Sequence, residues 1–335
     1  MRTVSYQRAI REALDEEMAR DERVFLLGED VGAYGGAFAV TRGLFDKYGA
    51  ERVRDSPIAE TFIVGSGVGA ALTGMRPVVE LQYADFIGIA MDEIYNKAAK
   101  WRYMHGGLFN VPLVIRAPEG AAGGSGPEHS QCPEHLLTSA AGLYVLTPST
   151  PADAKGLLKS AIRDDNPVVF LEHKRLYSQR GEIPEGDHLV PIGEAAVRRS
   201  GTDLTIVAWS AMVFEALAAA ETLAERGVTT EVIDPRGVRP IDYETIAASV
   251  NKTGRLLIVH ESPLIGGHGA EVAAQIAESC FSSLRGPVRR LGAADVPIPQ
   301  SAYLETFVMP DRESILKIAE QMLDGAGAAA AGAGS

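Results

Sequence analysis

Long apolar runs are missing from this sequence. No stretch approaches the roughly 20 residues that a bilayer-spanning helix requires, so no membrane role is expected. Basic residues are also in short supply. The 32 Lys and Arg face 44 Asp and Glu, and the resulting charge of −12 would repel nucleic-acid phosphates. Cysteine is nearly absent. Cys132 and Cys280 alone cannot build a disulfide framework and suit a reducing compartment. No His or Cys pair stands at zinc spacing. The first residues, Met1-Arg2-Thr3-Val4-Ser5, carry neither the apolar core of a secretion signal nor an Arg-rich presequence, so a cytoplasmic location is expected. What is present is a 46% apolar content, enough for substantial cores in a chain long enough for two domains.

Short apolar runs alternate with longer amphipathic segments. Ser5 reads as a helix cap, with Ala9, Ile10, Ala13, Leu14 and Met18 on one helical face behind it. Strands are predicted at Val24–Leu27, Val78–Leu81, Pro112–Arg116, Leu143–Leu146 and Val168–Leu171, and helices at Phe62–Thr73, Asp92–Arg102 and Pro151–Arg163. A second series places strands at Leu204–Trp209, Thr230–Ile233 and Leu256–Val259. Its helices are predicted at Ala211–Arg226, Tyr243–Val250, Gly269–Glu278 and Ser314–Leu323. This alternation predicts an α/β fold of two domains, each a mostly parallel sheet flanked by helices. The expected domains are 1–185 and 200–323, joined by a charged, Pro/Gly-containing linker at 186–199. The Gly/Ala tail 324–335 has little to pack with and is expected to be disordered.

Five places are weighed for chemistry. Glu60 follows the Ser56-Pro57 turn and opens a small-residue helix, where an acid either satisfies the helix dipole or serves a site. The run Gly65-Ser66-Gly67-Val68-Gly69-Ala70 misses the dinucleotide spacing, and its glycines fit close helix–strand packing better than a pyrophosphate cradle. His129 lies in a glycine-rich polar loop, Gly123 to Gln131, of the kind that often carries function. Gln82 interrupts an apolar strand and needs a hydrogen-bond partner, while Phe86 reads first as core. The segment Ala161-Ile162-Arg163-Asp164-Asp165-Asn166-Pro167 is either a proline-stopped polar turn or a loop whose carbonyls wrap a monovalent cation.

Taken in order, these segments resemble the β subunit of the E1 component of 2-oxo acid dehydrogenase complexes, in the transketolase-like superfamily. The resemblance runs from about Val4 to Leu323. It includes Leu27-Gly28-Glu29-Asp30-Val31-Gly32, Asp55-Ser56-Pro57-Ile58-Ala59-Glu60, Ala98-Ala99-Lys100-Trp101-Arg102-Tyr103-Met104, His129-Ser130-Gln131, Asp164-Asp165-Asn166-Pro167 and Val232-Ile233-Asp234-Pro235-Arg236. It implies a pyrimidine-binding domain followed by a transketolase C-terminal domain. It also implies thiamine diphosphate as cofactor, with Glu60 on N1′ of the aminopyrimidine, Phe86 packed on that ring, and Gln82 and Ile58 beside it. His129 would face the substrate and the lipoyl group. Potassium would sit among the main-chain oxygens of Leu113, Ala161, Ile162, Asp164 and Asn166.

The implied activity is oxidative decarboxylation of a small 2-oxo acid with reductive acylation of a lipoyl-bearing E2 protein. Pyruvate is placed ahead of branched-chain 2-oxo acids, with an acetoin dehydrogenase β subunit as the alternative. The family's Gly-Asp-Gly…Asn motif for magnesium and diphosphate is absent, so Mg2+ is expected on a separate α subunit and the assembly is expected to be α2β2. Many relatives carry Ser-Glu-Met-Gly-Phe where this chain has Ala59-Glu60-Thr61-Phe62-Ile63, and the loop 119–125 is this chain's own version. Two remoter readings remain: a nicotinamide-dependent oxidoreductase using Gly65–Gly69, and a scaffold that binds α and E2 without catalysis.

Overall fold

Helix α1 shows how local chemistry sets the first elements. Strand β1 (Arg2–Ser5) ends where the Ser5 hydroxyl accepts from the Arg8 N–H at 3.2 Å, and α1 (Tyr6–Arg20) begins there with its apolar face buried. The computed structural model describes residues 1–331, with side chains through residue 324. It divides into two compact units.

The first unit contains Met1–Ala122, Glu128–Ile192 and Gly237–Pro240. Its elements run β2 (Val24–Gly28), α2 (Leu44–Tyr48), β3 (Val53–Asp55), α3 (Glu60–Leu72), β4 (Arg76–Glu80), α4 (Trp101–Met104), β5 (Val114–Glu119), α5 (Glu134–Leu137), β6 (Tyr144–Leu146), α6 (Pro151–Arg163), β7 (Val168–His173) and β8 (Arg180–Ile183). The second unit contains Gly123–Pro127, Gly193–Arg236 and the chain from Ile241 onward. It carries β9 (Ala196–Arg199), β10 (Leu204–Ala208), α7 (Met212–Glu225), β11 (Thr230–Asp234), α8 (Tyr243–Thr253), β13 (Leu256–Pro263), α9 (Gly269–Ser279), β14 (Arg289–Ala293), α10 (Ala302–Glu305) and α11 (Arg312–Ala331). The short strand β12 (Gly237–Arg239) returns to the first unit.

The first unit's main sheet has the order β12-β6-β7-β5-β4-β2-β3, parallel except for β12. Strand β2 pairs with β3 on one side and β4 on the other, so the connection from β3 to β4 crosses over β2. That reversal creates a crevice at the carboxyl ends of β2 and β4, where α/β sheets place ligands. The second unit's sheet has the order β14-β13-β10-β11-β9, with only β9 antiparallel. Both are the flanked, mostly parallel sheets expected. Residues on β5 and β7 are buried along their whole length, as strands covered on both faces must be.

Several elements differ from expectation. The last four residues of the expected linker, Ala196–Arg199, form β9, which binds its sheet only on the β11 side and needs no apolar run. Strand β8 likewise pairs only with β1. The helix expected over Asp92–Arg102 is a π-helical turn at Glu93–Ala98 followed by the separate one-turn α4. Helix α11 begins earlier than expected and continues to Ala331, into the segment expected to be disordered. Residues 332–335 of that segment lie outside the described residues. Among the described residues no helix is long and apolar enough to cross a membrane, and both cysteines are buried and outside any disulfide.

Candidate active site

The crevice at the ends of β2 and β4 gathers the predicted cofactor residues. Gly28, closing β2, stands in register with Glu80 of β4 and Asp55 of β3, so the segments that follow all start from one sheet edge. Glu29 follows β2, Gln82 follows β4, and the Ser56-Pro57 turn after β3 delivers Glu60 as the first residue of α3. Glu60 is 8% exposed, and among the described residues its carboxylate has no hydrogen-bond partner. The half-buried Gln82 amide has none either. Burial pushes the Glu29 carboxyl up, helped by the negative neighbours Asp30 and Glu60. Ile58 is 74% exposed beside the start of α3. A buried acid and an amide, both available to a ligand at a switch-point crevice, fit a polar heteroaromatic ring.

His129 is held by residues that the sequence reading passed over. Its ring meets Tyr83 edge-on at 4.4 Å and Phe86 edge-on at 5.5 Å. Phe86 lies in a 3-10 turn at Ala84–Gly88, so it is half-exposed in the site and not core. Asp85, its neighbour, accepts from Ser130 N–H at 3.2 Å and Gln131 N–H at 3.0 Å, and from the Gln131 side chain at 3.1 Å. The Lys174 ammonium donates to the His129 carbonyl and lies 5.3 Å from the centre of the Tyr83 ring. Among the described residues the imidazole itself makes no hydrogen bond, so both ring nitrogens remain available.

The expected cation loop carries a contact that the sequence did not announce. Arg76, at the start of β4, donates from Nη1 to the carbonyls of Ile162 at 3.0 Å and Asp164 at 2.8 Å. Its Nη2 reaches Asp165 Oδ1 at 2.5 Å. The Leu113 carbonyl accepts from Val168 N–H at 2.8 Å. Three of the five oxygens named for potassium therefore already accept, two of them from a cationic side chain. Each carbonyl keeps a second lone pair.

The glycines of α3 divide by geometry. A Cβ at Gly67 would stand 2.8 Å from a Leu113 methyl and 2.9 Å from a Val79 methyl, whereas none would meet anything within 4 Å at Gly69. Gly67 lets α3 close onto the sheet, which accounts for it without a pyrophosphate.

Tyr83, Asp85, Lys174 and Glu29 were missed because each acts through a loop contact that has no periodicity. The one signal available was position: all four lie within four residues of a predicted strand end.

Residues 2–179 match the family model described as the pyrimidine-binding domain of transketolase, and residues 193–315 match the transketolase C-terminal domain. The chain is 49% identical over 317 residues to the mitochondrial pyruvate dehydrogenase E1 component subunit beta-1 of Arabidopsis thaliana, covering 93% of this chain and 87% of that one. It is 46% identical to the 2-oxoisovalerate dehydrogenase subunit beta of Bacillus subtilis, covering 93% and 97%. Identity is 42% to the acetoin:2,6-dichlorophenolindophenol oxidoreductase subunit beta of Cupriavidus necator, covering 97% and 98%. A solved split-gene transketolase, described as an inactive beta4 tetramer, superposes with a TM-score of 0.78 at 24% identity, over 96% of this chain and 99% of that one, and so shares the fold.

Proposed function

The chain belongs to the E1 β-subunit family of the 2-oxo acid dehydrogenase complexes, and from that premise we propose that it supplies the pyrimidine-binding half of a thiamine diphosphate site completed by an α subunit. The observation that carries this reading is the buried, unpartnered Glu60 carboxylate at the switch-point crevice. Thiamine diphosphate, when bound, supplies the nucleophilic carbon and the electron sink for decarboxylation. Glu60 would share a proton with N1′ of the aminopyrimidine, a role that suits a carboxyl group removed from water and not neutralised by a cation. Gln82 and Ile58 would contact the same ring, and the exposed face of Phe86 would pack on it. His129, aimed by Tyr83, Asp85 and Lys174, would orient the substrate carboxylate and exchange a proton with the reacting oxygen.

No Gly-Asp-Gly…Asn motif is present to hold a metal–diphosphate pair, so Mg2+ and the diphosphate fall to the α subunit of an α2β2 assembly. Pyruvate is the proposed substrate, supported by the 49% identity to a pyruvate enzyme subunit, with lipoyl-E2 as acyl acceptor. Identities of 46% and 42% to branched-chain and acetoin enzyme subunits put those substrates in the test panel. Potassium is proposed at the second lone pairs of the 161–166 carbonyls. Melting that is higher in KCl than in equimolar NaCl supports it, and equal melting overturns it.

The deciding experiment is calorimetric titration of thiamine diphosphate with Mg2+ into the chain alone and into its purified complex with the α subunit. Binding by the complex only is the expected result. Tight binding by the chain alone, or none by an assembled complex, would overturn the shared-site reading.

A further inference from the structure

The aromatic contact that aims His129 does not end at Tyr83. Phe38, in the loop between β2 and α2, meets Tyr83 edge-on, with ring centres 5.6 Å apart and planes at 81°. On its other side Phe38 lies 5.2 Å from the Tyr177 ring, tilted by 33°. Tyr177 is fixed in turn. Its hydroxyl donates to Glu172 Oε2 at 2.9 Å, and its ring stands 6.2 Å from that of Tyr6 in α1. The rings therefore run Tyr6, Tyr177, Phe38, Tyr83, His129, and all five belong to the first compact unit. Rings at these spacings favour edge-on or offset contacts, so the orientation of one constrains the next.

The loop that carries Phe38 is held by its backbone. Three successive carbonyls accept from α1: Phe38 from the Gln7 amide, Ala39 from Arg11 Nη2, and Val40 from Arg11 Nε at 2.9 Å. Ala39 has φ of +55°, a left-handed conformation that a residue with a Cβ seldom adopts. The Thr41 hydroxyl donates to the Val31 carbonyl at 2.7 Å and ties the two ends of the loop together. Filling a half-buried space would need none of this. Backbone kept in a sparsely populated conformation by its surroundings clusters at functional sites, and the side chain placed here points back to His129.

We propose that Phe38 is a positioning residue for His129, acting through Tyr83: it sets the angle at which the imidazole meets the substrate. The inference rests on the role proposed for His129. Small displacements of a reacting group lower rates by up to about a hundredfold, which scales the test.

In the complex with the α subunit, Phe38→Ala is expected to lower kcat about 10- to 100-fold. Affinity for thiamine diphosphate with Mg2+ should stay within about threefold, because Phe38 touches none of the proposed cofactor residues. Phe38→Tyr keeps a ring in place and should stay within about threefold of wild-type kcat. In a His129→Ala background, Phe38→Ala should add less than about a twofold further loss, the non-additivity of groups acting as a unit. Should Phe38→Ala fail to assemble, Gln7→Leu takes its place, since it releases the Phe38 carbonyl and leaves the ring; a smaller loss in the same direction is expected. Full activity of the variant used would overturn the proposal. So would a loss that simply multiplies that of His129→Ala, a loss confined to cofactor affinity, or a Phe38→Tyr variant as impaired as Phe38→Ala. Full activity of His129→Ala would instead overturn the role proposed for His129, and this inference with it.

Discussion

Glu60 combines burial with the absence of any cation bonded to it, and that combination makes its chemistry testable. Glu60→Gln keeps shape and hydrogen bonding but cannot exchange a proton with a ring nitrogen. It is expected to lower kcat by about 10²- to 10⁴-fold, the range for lost proton transfer, while the assembly elutes unchanged on size exclusion. Full activity would sink the mechanism. Arg116 makes the opposite point. It is 1% exposed, grips Glu172 with Nε at 2.6 Å and Nη2 at 2.8 Å, and reaches Glu80 with Nη1. Burial opposes its charge, but Glu172 and Glu80 outweigh that and raise its pKa. One base serves two acids, so burial pushes Glu80 up despite Arg116. Arg116→Ala would leave both carboxylates without a cation, Glu172 keeping only the Tyr177 hydroxyl at 2.9 Å, and is expected to destabilise by about 3–5 kcal/mol, read from urea unfolding. Glu60, Gln82 and His129 stood out in their segments, whereas Phe86 read as core and was singled out only by the resemblance. Glu29, Asp85 and Lys174 did not stand out, because an acid or lysine just past a strand end looks like any solvated charge until the backbone brings its neighbours near.

At the scale of elements, α3 separates two kinds of glycine. Gly67→Ala forces a methyl against Leu113 and Val79 and is expected to destabilise by about 1–3 kcal/mol, less whatever helix propensity returns. Gly69→Ala meets nothing and is expected to stabilise by up to about 1 kcal/mol. Equal effects in paired thermal melts would contradict the packing reading. Helices α1 and α6 are joined by charges: Glu17 to Arg163 at 2.6 Å, Glu16 to Lys155 at 2.6 Å and to Lys159 at 2.7 Å. Asp187 bonds Lys159 at 2.6 Å and Arg163 at 2.7 Å. Arg163 and then Lys159 hold Asp187 well below the usual carboxylate range. Asp21, bonded first by Arg23, is lowered to about 2. Folded values below the unfolded ones mean stability that is complete above the unfolded carboxylate pKa, about 4, and lost as pH falls through the folded values. Melting temperature is therefore expected to fall steeply between about pH 4 and pH 2; a flat or rising profile there would contradict it. The long elements were legible, α6 over its full span, because Thr150 caps it and Pro151 opens it. Strands β3, β9, β12 and β14 were not, since strands of three to five residues take their shape from the neighbour they pair with.

At the scale of the whole molecule, what this chain lacks and what it exposes point the same way. It carries no metal–diphosphate motif, and that absence was plain in the sequence. Its exposed apolar side chains were not plain in the sequence: the fold leaves Phe62 and Ile89 56% and 57% exposed. The Ile89 carbonyl accepts from the Thr61 hydroxyl at 2.9 Å at the start of α3, Phe62 is the next residue of that helix, and Ile58 is two residues before Glu60. Exposed apolar side chains near a residue proposed to hold the cofactor are costly to leave in water, and covering one large side chain recovers about 1.5–3 kcal/mol. A partner that covers them would also exclude water from Glu60, so assembly and cofactor binding should be coupled. Phe62→Glu tests the coupling. Because the side chain is exposed, the variant chain alone should unfold within about 0.5 kcal/mol of wild type. Affinity for the α subunit should fall at least about tenfold, as for a central apolar contact, and thiamine diphosphate binding should weaken in step. Unchanged α affinity, measured by sedimentation or calorimetry, would place the shared site on another face. Weaker α binding with undiminished cofactor affinity in the assembled fraction would show that these side chains hold the partner without sealing the site.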